Sequence, residues 1–307
     1  MKILITGSTG MVGRNIIENP YMGQQNLLCP SSTELNLLNA DDIIGYMRRH
    51  KPDMVIHCAG KVGGIQANMQ DMYSFFTLNA LMGINLVKTA KEQGIPHFLN
   101  LSSSCTYPCA HENPLKEDHV LEGKLESTNE GYALAKLSVQ KMCEYISREC
   151  PGFQYKTLIP CNLYGRWDKF DEKNSHMISG VIKKIHDALK TNVREVVIWG
   201  DGKARREFMY AGDLAVCAAQ AVQHFETLPV LMNVGLGFDY TINEYYETIN
   251  KVLGYNGAFI HDTSKPVGMK QKLLDITRQT QWGFKPETSL EAGIGQAYQF
   301  FLEHSHD

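Results

Sequence analysis

A tyrosine and a lysine four residues apart, Tyr132 and Lys136, are the clearest candidates for chemistry in this chain. At that spacing, both side chains lie on the same side of a helix. A neighbouring ammonium lowers the pKa of a phenol and can hold a nicotinamide ribose, so Tyr132 could act as general acid toward a carbonyl that is being reduced. An exposed helical pair of this type is common by chance, so the pair gains meaning only together with other motifs.

A run of three serines, Ser102 to Ser104, follows an apolar segment about thirty residues before Tyr132. Parallel strands place the residues that follow them at one edge of the sheet, where ligands bind. We therefore predict that Ser103 supplies a hydroxyl that binds the substrate carbonyl.

Glycines spaced by three follow the first apolar run and open a helical pattern. A dinucleotide pyrophosphate requires a tight turn, a close approach of the backbone and free N–H groups at a helix N-terminus. The alternative is a glycine-rich turn that serves packing alone. The GxxGxxG spacing is similar to that of short-chain dehydrogenases. The predicted cofactor contacts in this turn are Gly7, Thr9, Gly10, Met11, Val12 and Gly13.

The end of the second predicted strand bears on the choice of cofactor. NAD enzymes place an acidic side chain there, on the adenosine ribose, whereas residues 29–32 contain neither Asp nor Glu. Ser31 and Ser32 could donate hydrogen bonds to a 2′-phosphate, although no arginine is present. We therefore predict NADPH rather than NADH; the alternative is that the two serines only begin a turn before Glu34.

These residues require a scaffold of alternating strands and helices. Continuous apolar runs suit strands that are buried on both faces of a parallel sheet. The predicted strands are 3–5, 27–29, 54–56, 98–101 and 155–159, and the predicted helices are 11–19, 40–50, 71–93 and 127–148. This rhythm predicts an α/β fold, a Rossmann-type doubly wound parallel sheet with a smaller C-terminal substrate lobe. We assign 1–165 and about 211–235 to the NADP-binding domain, and 166–210 and 236–307 to the substrate lobe.

Composition limits the partners of the chain. It has 307 residues, 43% of them hydrophobic, and a net charge of −3, so no overall basic field favours nucleic acid or an anionic membrane. Its eight cysteines form no CxxC pair, which suggests a reducing, cytoplasmic location, and no secretory segment is recognised. No apolar run approaches the roughly 20 residues that span a bilayer.

Motifs along nearly the whole chain resemble one family, GDP-L-fucose synthase, the GDP-4-keto-6-deoxy-D-mannose 3,5-epimerase-4-reductase of the extended short-chain dehydrogenase/reductase type. The resemblance implies an NADPH-dependent homodimer that binds a GDP-sugar in its C-terminal lobe; the helices 71–93 (with Asn79) and 127–148 offer a dimer face. The matching stretches are KVGGI at 61–65, SSCTYP at 103–108, PCNLYG at 160–165, NSH at 174–176, VIWG at 197–200, REF at 206–208 and KLLD at 272–275.

The resemblance also implies roles for individual residues. Ser103, Tyr132 and Lys136 match the reductase triad, and Cys105 and His176 match the acid and base of epimerisation. Asn162, Leu163, Lys136 and His176 would lie near the cofactor. Trp199, Arg206 and Lys272 would bind the substrate, with Arg206 on its diphosphate because a guanidinium forks onto phosphate oxygens. No metal is expected. Without the resemblance, Cys105 could be a small buried hydrophobe, His176 a helix cap and Trp199 a core residue.

Three departures from the family leave alternatives open. Family arginines are replaced by Thr9 and by Ser31 and Ser32, and a family aspartate is replaced in the stretch 265–268. The substrate could thus be GDP-4-keto-6-deoxy-D-mannose, giving GDP-L-fucose, or a relative: a C5 epimerase/4-reductase making GDP-L-colitose, or a reductase for a GDP-4-keto heptose. A non-catalytic NADPH sensor is a third hypothesis, although a sensor has no need for all five catalytic side chains.

Overall fold

The protein is described here by a computed structural model that covers residues 1–171, 175–265 and 268–304. Strands and helices alternate through the first two thirds of this part of the chain. The strands are β1 (Lys2–Thr6), β2 (Asn26–Leu28), β3 (Met54–His57), β4 (His97–Leu101), β5 (Gln154–Pro160), β6 (Asn162–Tyr164), β7 (Glu195–Trp199), β8 (Arg205–Arg206), β9 (Phe208–Tyr210), β10 (Leu231–Val234), β11 (Tyr240–Thr241), β12 (Ala258–Asp262) and β13 (Gln271–Lys272). The helices are α1 (Met11–Glu18), α2 (Ala40–His50), α3 (Ile65–Gln70), α4 (Met72–Glu92), α5 (Glu130–Glu149), α6 (Met177–Lys190), α7 (Ala211–Gln223), α8 (Ile242–Leu253), α9 (Thr277–Trp282) and α10 (Leu290–His304).

The main sheet has six parallel strands in the order β10-β5-β4-β3-β1-β2. Its central strands carry uninterrupted apolar runs, and all four residues of β3 are buried. Such runs fit strands that are covered by helices on both faces. The predicted Rossmann-type parallel sheet is therefore confirmed, together with the five strands predicted from these runs.

Two groups of apolar residues cover the sheet, and a third core lies beside it. Ile3, Ile56 and Leu99 belong to the core that also includes α7 and the later residues Leu274 and Phe284. The opposite face packs α2, α4 and α5. The third core joins α6, α8 and α10 with β7. The C-terminal third thus contributes residues both to its own core and to the core of the main sheet.

Small sheets in the C-terminal third bring distant charged residues side by side. Strand β8 lies between β11 and β13, and the register of β13 on β8 places Lys272 opposite Arg206. Strand β12 pairs with β7, and β6 pairs with β9. Strand β6 begins two residues after the end of β5, so the β6–β9 pair leads from the end of the main sheet to this region.

The four helical predictions agree with the structure to within three residues; the largest difference is at α5, which begins at Glu130 rather than at residue 127. The predicted helix 71–93 is α4, which begins at Met72 after Asp71 accepts a hydrogen bond from the backbone N–H of Ser74. A separate short helix, α3, precedes it. None of the helices in the described ranges is long and apolar enough to cross a membrane.

Candidate active site

The glycine turn joins β1 to α1 in a conformation that only glycine allows at two positions. Gly7 has φ +70°, and a Cβ added to it would lie 2.6 Å from the backbone N of Ala59. A Cβ on Gly13 would lie 2.2 Å from the carbonyl oxygen of Gly7. The turn therefore packs tightly beneath α1, while Thr9 and Gly10 remain exposed above it. The first-turn N–H groups of α1, those of Met11, Val12 and Gly13, have no acceptor within the helix, as a phosphate site requires.

The residues after β2 form a turn that is held by hydrogen bonds. Ser8 Oγ donates to the carbonyl oxygen of Pro30 at 3.0 Å and so fastens the glycine turn to this strand end. Both the backbone N and Oγ of Ser31 donate to Glu34 Oε2 at 2.8 Å. Glu34 thus folds back over three residues to Ser31, in agreement with the alternative that the serines begin a turn, and the two Ser31 hydrogen bonds lower the pKa of Glu34. Ser32 is exposed.

Lys136 and Tyr132 lie on the buried side of α5, beside the end of β4. Lys136 is only 7% exposed; its Nζ donates to the carbonyl oxygen of Leu101 at 2.9 Å and lies 5.9 Å from the centre of the Tyr132 ring. Burial lowers the pKa of Lys136 to about 8, against a smaller opposite effect of Cys58.

Tyr132 itself has a pKa above its usual value, mainly because of burial, with Cys105 raising it further and a hydrogen bond with Ser103 opposing the shift. Burial, rather than the ammonium of Lys136, therefore has the largest effect on the pKa of Tyr132.

Ser103 and Cys105 lie next to this tyrosine, in the short turn that follows β4. Ser103 Oγ accepts the backbone N–H of Cys105 at 3.2 Å, which fixes the turn. The Sγ of Cys105 accepts a hydrogen bond from Asn129 Nδ2 at 3.1 Å and lies 3.8 Å from the Nζ of Lys272. The structure thus brings together the predicted Ser103, Cys105, Tyr132 and Lys136, and it adds Asn129 and Lys272. Cys105 is only partly buried and contacts two polar side chains, which differs from the environment of a small buried hydrophobe.

The loop Gly60–Gly64 connects this cluster to the segment that carries His176. Asn79 holds the loop, because its Oδ1 accepts the backbone N–H of Lys61 and its Nδ2 donates to the Lys61 carbonyl. A Cβ on Gly60 would lie 3.8 Å from Lys136 Nζ, and a Cβ on Gly64 would lie 3.3 Å from the Ser175 carbonyl oxygen. One face of the loop thus borders Lys136, and its far end contacts the residue before His176.

His176 directly precedes α6 and contacts the buried carboxylate of Asp168. Its Nδ1 lies 3.3 Å from Asp168 Oδ1, and about a third of its side chain is exposed. Burial lowers the pKa of His176, but the hydrogen bond and the charge of Asp168 outweigh burial, so the net pKa is raised. The alternative role as a helix cap is not supported, because the His176 side chain makes no capping hydrogen bond.

The predicted substrate residues lie on two of the small sheets: Arg206 and Lys272 on the sheet of β8 and β13, and Trp199 on the sheet of β7 and β12. Arg206 and Lys272 are neighbours across β8 and β13. Trp199 ends β7 with 44% of its surface exposed and with Lys265 Nζ 5.8 Å from its ring centre, so the core-packing alternative for Trp199 is excluded. Leu163 is buried in β6, and Asn162 Nδ2 donates to the Glu207 carbonyl oxygen at 3.0 Å.

Glu207 was missed by the sequence reasoning as a functional residue, although it lies within the REF motif. It is 1% exposed and accepts backbone N–H groups from Leu236, Gly237 and Leu274. Burial raises its pKa to about 7 despite these hydrogen bonds. Glu207 therefore fixes the segment that follows β10 and the segment that carries Lys272. Asp168 and Asn129 were also missed; each stands in a loop whose folding cannot be deduced from residue spacing.

Three positions named from the sequence lie outside the described residues. They are Asn174 of the NSH motif, and positions 266 and 267 of the stretch that departs from the family. Gly268 is described, and a Cβ on it would approach Arg206 Nη2 to 3.4 Å. Gly268, the last residue of this stretch, therefore borders the Arg206 guanidinium.

One group of possible metal ligands occurs within the described ranges, away from the residues above. Ligand atoms of His111, His119 and Glu122 lie within 4.8 Å of one another. His119 Nδ1 accepts the backbone N–H of Lys116, which leaves the proton of the neutral ring on Nε2, and His111 contacts Glu122 Oε2 directly at 3.1 Å. A metal ligand needs an unprotonated nitrogen, so we explain this group by its hydrogen bonds and assign it no ion.

Comparison with known proteins gives a consistent picture. The NAD dependent epimerase/dehydratase family matches residues 3–235. A GDP-L-colitose synthase of Yersinia pseudotuberculosis is 53% identical over 307 residues and all of both chains, and a GDP-L-fucose synthase of Azorhizobium caulinodans is 48% identical over 98% of this chain and 96% of its own. A GDP-mannoheptose C4 reductase from Campylobacter jejuni, solved with NADP bound, superposes with a TM-score of 0.88 at 28% identity, over 98% of each chain.

Proposed function

Because the chain belongs to the NAD dependent epimerase/dehydratase family, we propose that it is an NADPH-dependent epimerase and 4-reductase acting on a GDP-4-keto-6-deoxy sugar. One observation carries the proposal: Ser103 and Tyr132, the groups suited to reduction, lie beside Cys105, the group suited to proton exchange at carbon. The thiol supplies an acid or base at carbon, which epimerisation requires in addition to the groups that serve reduction.

The glycine turn fits a bound dinucleotide. The tight packing of Gly7 and Gly13 leaves no room for side chains, and the first-turn N–H groups of α1 can receive the pyrophosphate. Ser31, Ser32 and Thr9 would face the adenosine ribose, and Asn162, Leu163 and His176 the nicotinamide half. When bound, NADPH supplies the hydride that is added to the carbonyl carbon.

Reduction requires a proton on the carbonyl oxygen as the hydride reaches carbon. Tyr132 Oη gives this proton, because burial raises its pKa and so keeps the phenol protonated at neutral pH. Ser103 Oγ binds the same oxygen. Lys136, whose pKa of about 8 leaves it mostly charged at pH 7, orients the cofactor ribose and compensates the negative charge that develops on the Tyr132 oxygen.

Epimerisation requires two groups on opposite faces of the sugar ring. The 4-keto group acidifies the protons at C3 and C5, so one residue removes a proton and the other returns a proton to the opposite face. We assign these roles to Cys105, which lies beside Tyr132 and Ser103, and to His176, which follows Ser175 at the far end of the Gly60–Gly64 loop.

Two adjacent cations support a diphosphate substrate. Arg206 and Lys272 face a common region from neighbouring strands, and a pair of cations at this spacing suits a dianionic diphosphate. Trp199 presents an exposed ring that can stack on guanine or on the sugar. The contact of Lys272 with Cys105 brings this phosphate region to the reacting carbons.

A second candidate substrate is GDP-4-keto-3,6-dideoxymannose, which would give GDP-L-colitose by inversion at C5 alone. The relative with 53% identity over the whole chain favours this candidate. Both candidates use the same cofactor and the same catalytic residues; they differ in the hydroxyl at C3.

We also propose that the protein is a homodimer that pairs through α4 and α5. This surface exposes apolar side chains that a water-exposed monomer has no reason to retain. The exposed residues are Tyr73, Phe76, Leu81 and Ile84 on α4 and Leu134 and Tyr145 on α5. The chain has a mass of 34.6 kDa, and light scattering should give twice this mass for the unmodified protein. The double variant Leu81→Glu, Leu134→Glu should give the mass of the monomer.

Two further parts of the proposal concern domains and location. Residues 1–165 and about 211–235 would bind the cofactor, and 166–210 and 236–307 would bind the GDP-sugar, an arrangement supported by the position of β10 in the main sheet and of Arg206 outside it. All eight cysteines are free, which supports a reducing compartment such as the cytoplasm.

The proposed function is tested by a substrate panel. The purified protein is given NADPH and, in turn, GDP-4-keto-6-deoxymannose, GDP-4-keto-3,6-dideoxymannose and a GDP-4-keto heptose, and NADPH oxidation is followed by absorbance. We expect oxidation with one of the two deoxy sugars at a kcat/KM at least ten times that for the others. Oxidation with the heptose alone, or with none of the three, contradicts the proposal.

A further inference from the structure

The Asp168 side chain is almost completely enclosed, with 5% exposed, between the turn after β6 and the first turn of α6. Its Oδ1 lies 3.3 Å from His176 Nδ1 and accepts the backbone N–H of Lys169 at 2.8 Å. Its Oδ2 accepts the hydroxyl of Ser179, a fully buried residue of α6. Both oxygens therefore have partners on different segments, and the carboxylate is held in one orientation relative to the imidazole.

The backbone before Asp168 is held in an unusual conformation. Trp167 has φ +67°, a value that a non-glycine residue adopts only under constraint. Its indole Nε1 donates to Glu18 Oε1 at 2.7 Å, and the Arg14 guanidinium lies 4.8 Å from the centre of its ring. Contacts with α1 therefore fix the turn that presents Asp168 to His176.

Only one of the two ring nitrogens of His176 is engaged. Nδ1 faces Asp168, whereas Nε2 has no hydrogen-bond partner among residues 1–171, 175–265 and 268–304. A carboxylate can only accept hydrogen bonds, so Nδ1 must carry the proton in this contact. The neutral ring then has its lone pair on Nε2, and about a third of the side chain is exposed.

From this geometry we infer that Asp168 is a positioning residue that keeps the proton on His176 Nδ1 and leaves Nε2 as the atom that exchanges protons with the sugar. The inference rests on the proposed function for its substrate. When Nε2 takes a proton from the sugar carbon, the imidazolium is stabilised by the Asp168 carboxylate; in the reverse step Nε2 returns the proton and the ring becomes neutral. Nδ1 keeps its proton and Asp168 its charge throughout, so no further proton acceptor is needed.

The charges around His176 agree with this role. Burial lowers the pKa of His176, the Asp168 hydrogen bond and charge raise it by more, and Lys169 lowers it slightly. Removing the Asp168 charge should therefore lower the pKa of His176. A purely structural Asp168, which served only to connect the turn to α6, would leave the ring tautomer and the pH profile unchanged in any variant that folds.

The first test uses the unmodified protein without ligands. Nitrogen NMR on protein with ¹⁵N-labelled histidine, assigned by comparison with His176→Gln, reports which ring nitrogen carries the proton at high pH. We expect the Nδ1–H form. The Nε2–H form would overturn the inference, whatever substrate the protein uses.

The second test compares Asp168→Asn with Ser179→Ala, a matched control that removes the other side-chain partner of the carboxylate but keeps its charge. The readout is uptake of solvent deuterium into the 4-keto sugar without NADPH, alongside NADPH affinity by fluorescence. Replacing the aspartate of a His–Asp pair can lower the rate about 10⁴-fold where the His is the general base. For Asp168→Asn we expect the rate of deuterium exchange to fall on the order of 10²-fold, and the part of its pH profile that depends on His176 to move to lower pH. For Ser179→Ala we expect the exchange rate to fall by less than about 3-fold.

The outcomes separate this inference from the proposed function. If the unmodified protein exchanges deuterium and Asp168→Asn exchanges as fast with the same pH profile, the positioning role is wrong and the function stands. Equal losses in Asp168→Asn and Ser179→Ala, with NADPH affinity falling in parallel, also contradict it, because they indicate a structural contact. If the unmodified protein exchanges no deuterium, the epimerase proposal fails. The NMR result alone then decides whether Asp168 keeps the proton on His176 Nδ1.

Discussion

Replacing Lys136 by methionine should make the protein more stable at neutral pH while it abolishes reduction. Lys136 is buried with a single hydrogen bond, to the Leu101 carbonyl oxygen, and burial lowers its pKa from 10.5 to about 8. The folded state therefore holds the charged form of Lys136 at a free-energy cost of about 3 kcal/mol. Methionine fills a similar volume without the charge and loses one hydrogen bond of about 1 kcal/mol, so the net gain should be about 2 kcal/mol.

The sign of the pH dependence follows from the direction of the shift. Between pH 8 and 10.5, the unfolded chain keeps a proton on Lys136 that the folded protein has lost. The free energy of unfolding of the unmodified protein therefore rises with pH across this window through Lys136, whereas the Lys136→Met variant lacks this contribution. The stability advantage of the variant should be largest at pH 7 and should disappear by about pH 10.

Urea denaturation at pH 7, 8.5 and 10, followed by fluorescence without cofactor, measures this difference. A second buried lysine provides the control: Lys156 Nζ donates to the carbonyl oxygens of Phe225, Glu226 and Leu228. Burial also lowers the pKa of Lys156, but Lys156→Met removes the donor of three carbonyls rather than of one, so it should lower the free energy of unfolding. A Lys136→Met variant that is destabilised as much as Lys156→Met at pH 7 would refute the argument that Lys136 is held for function at the expense of stability.

The remaining predictions concern three other residues. Tyr132→Phe should stop NADPH oxidation while NADPH still binds, because the phenol gives the proton to the carbonyl oxygen; undiminished oxidation contradicts that role. Cys105→Ser should slow deuterium exchange at the sugar carbons by at least about 10²-fold with little change in NADPH affinity, and equal losses in both would indicate a structural cysteine. Glu207→Gln should reduce the pH dependence of stability. Because burial raises the pKa of Glu207 to about 7, the free energy of unfolding of the unmodified protein falls as the pH rises from 4.5 to 7. Urea denaturation across this pH range that gives the same change in the free energy of unfolding for both proteins refutes the assignment.

The fold was predictable because its signals are local. The apolar runs of β1, β3, β4 and β5 and the glycines at positions 7 and 13 determine the strands and the turn by their own chemistry. The Tyr132 and Lys136 pair was predictable for the same reason, since one helix turn fixes their relation. These features depend on neighbours along the chain and so can be read from the sequence.

The parts of the site that were not predicted depend on contacts between distant segments. Glu34 reaches Ser31 only because the chain turns back after β2, and Lys272 reaches Cys105 across 167 positions. Glu207 looked like one member of a motif, whereas its function as a triple acceptor follows from the packing of three segments. Asp168 lies eight positions before His176, and no rule of spacing links the two outside regular secondary structure.

The central claim is that one protein both reduces and epimerises a GDP-4-keto sugar, and product analysis in deuterated water tests this claim most directly. The protein is incubated with NADPH and GDP-4-keto-6-deoxymannose, and the sugar is examined by NMR at C3, C4 and C5. We predict a hydride-derived hydrogen at C4, together with inversion and deuterium at C5, and at C3 as well if the protein makes GDP-L-fucose. Reduction at C4 with neither inversion nor deuterium at C3 or C5 would contradict the claim, because Cys105 and His176 would then take no part in the reaction.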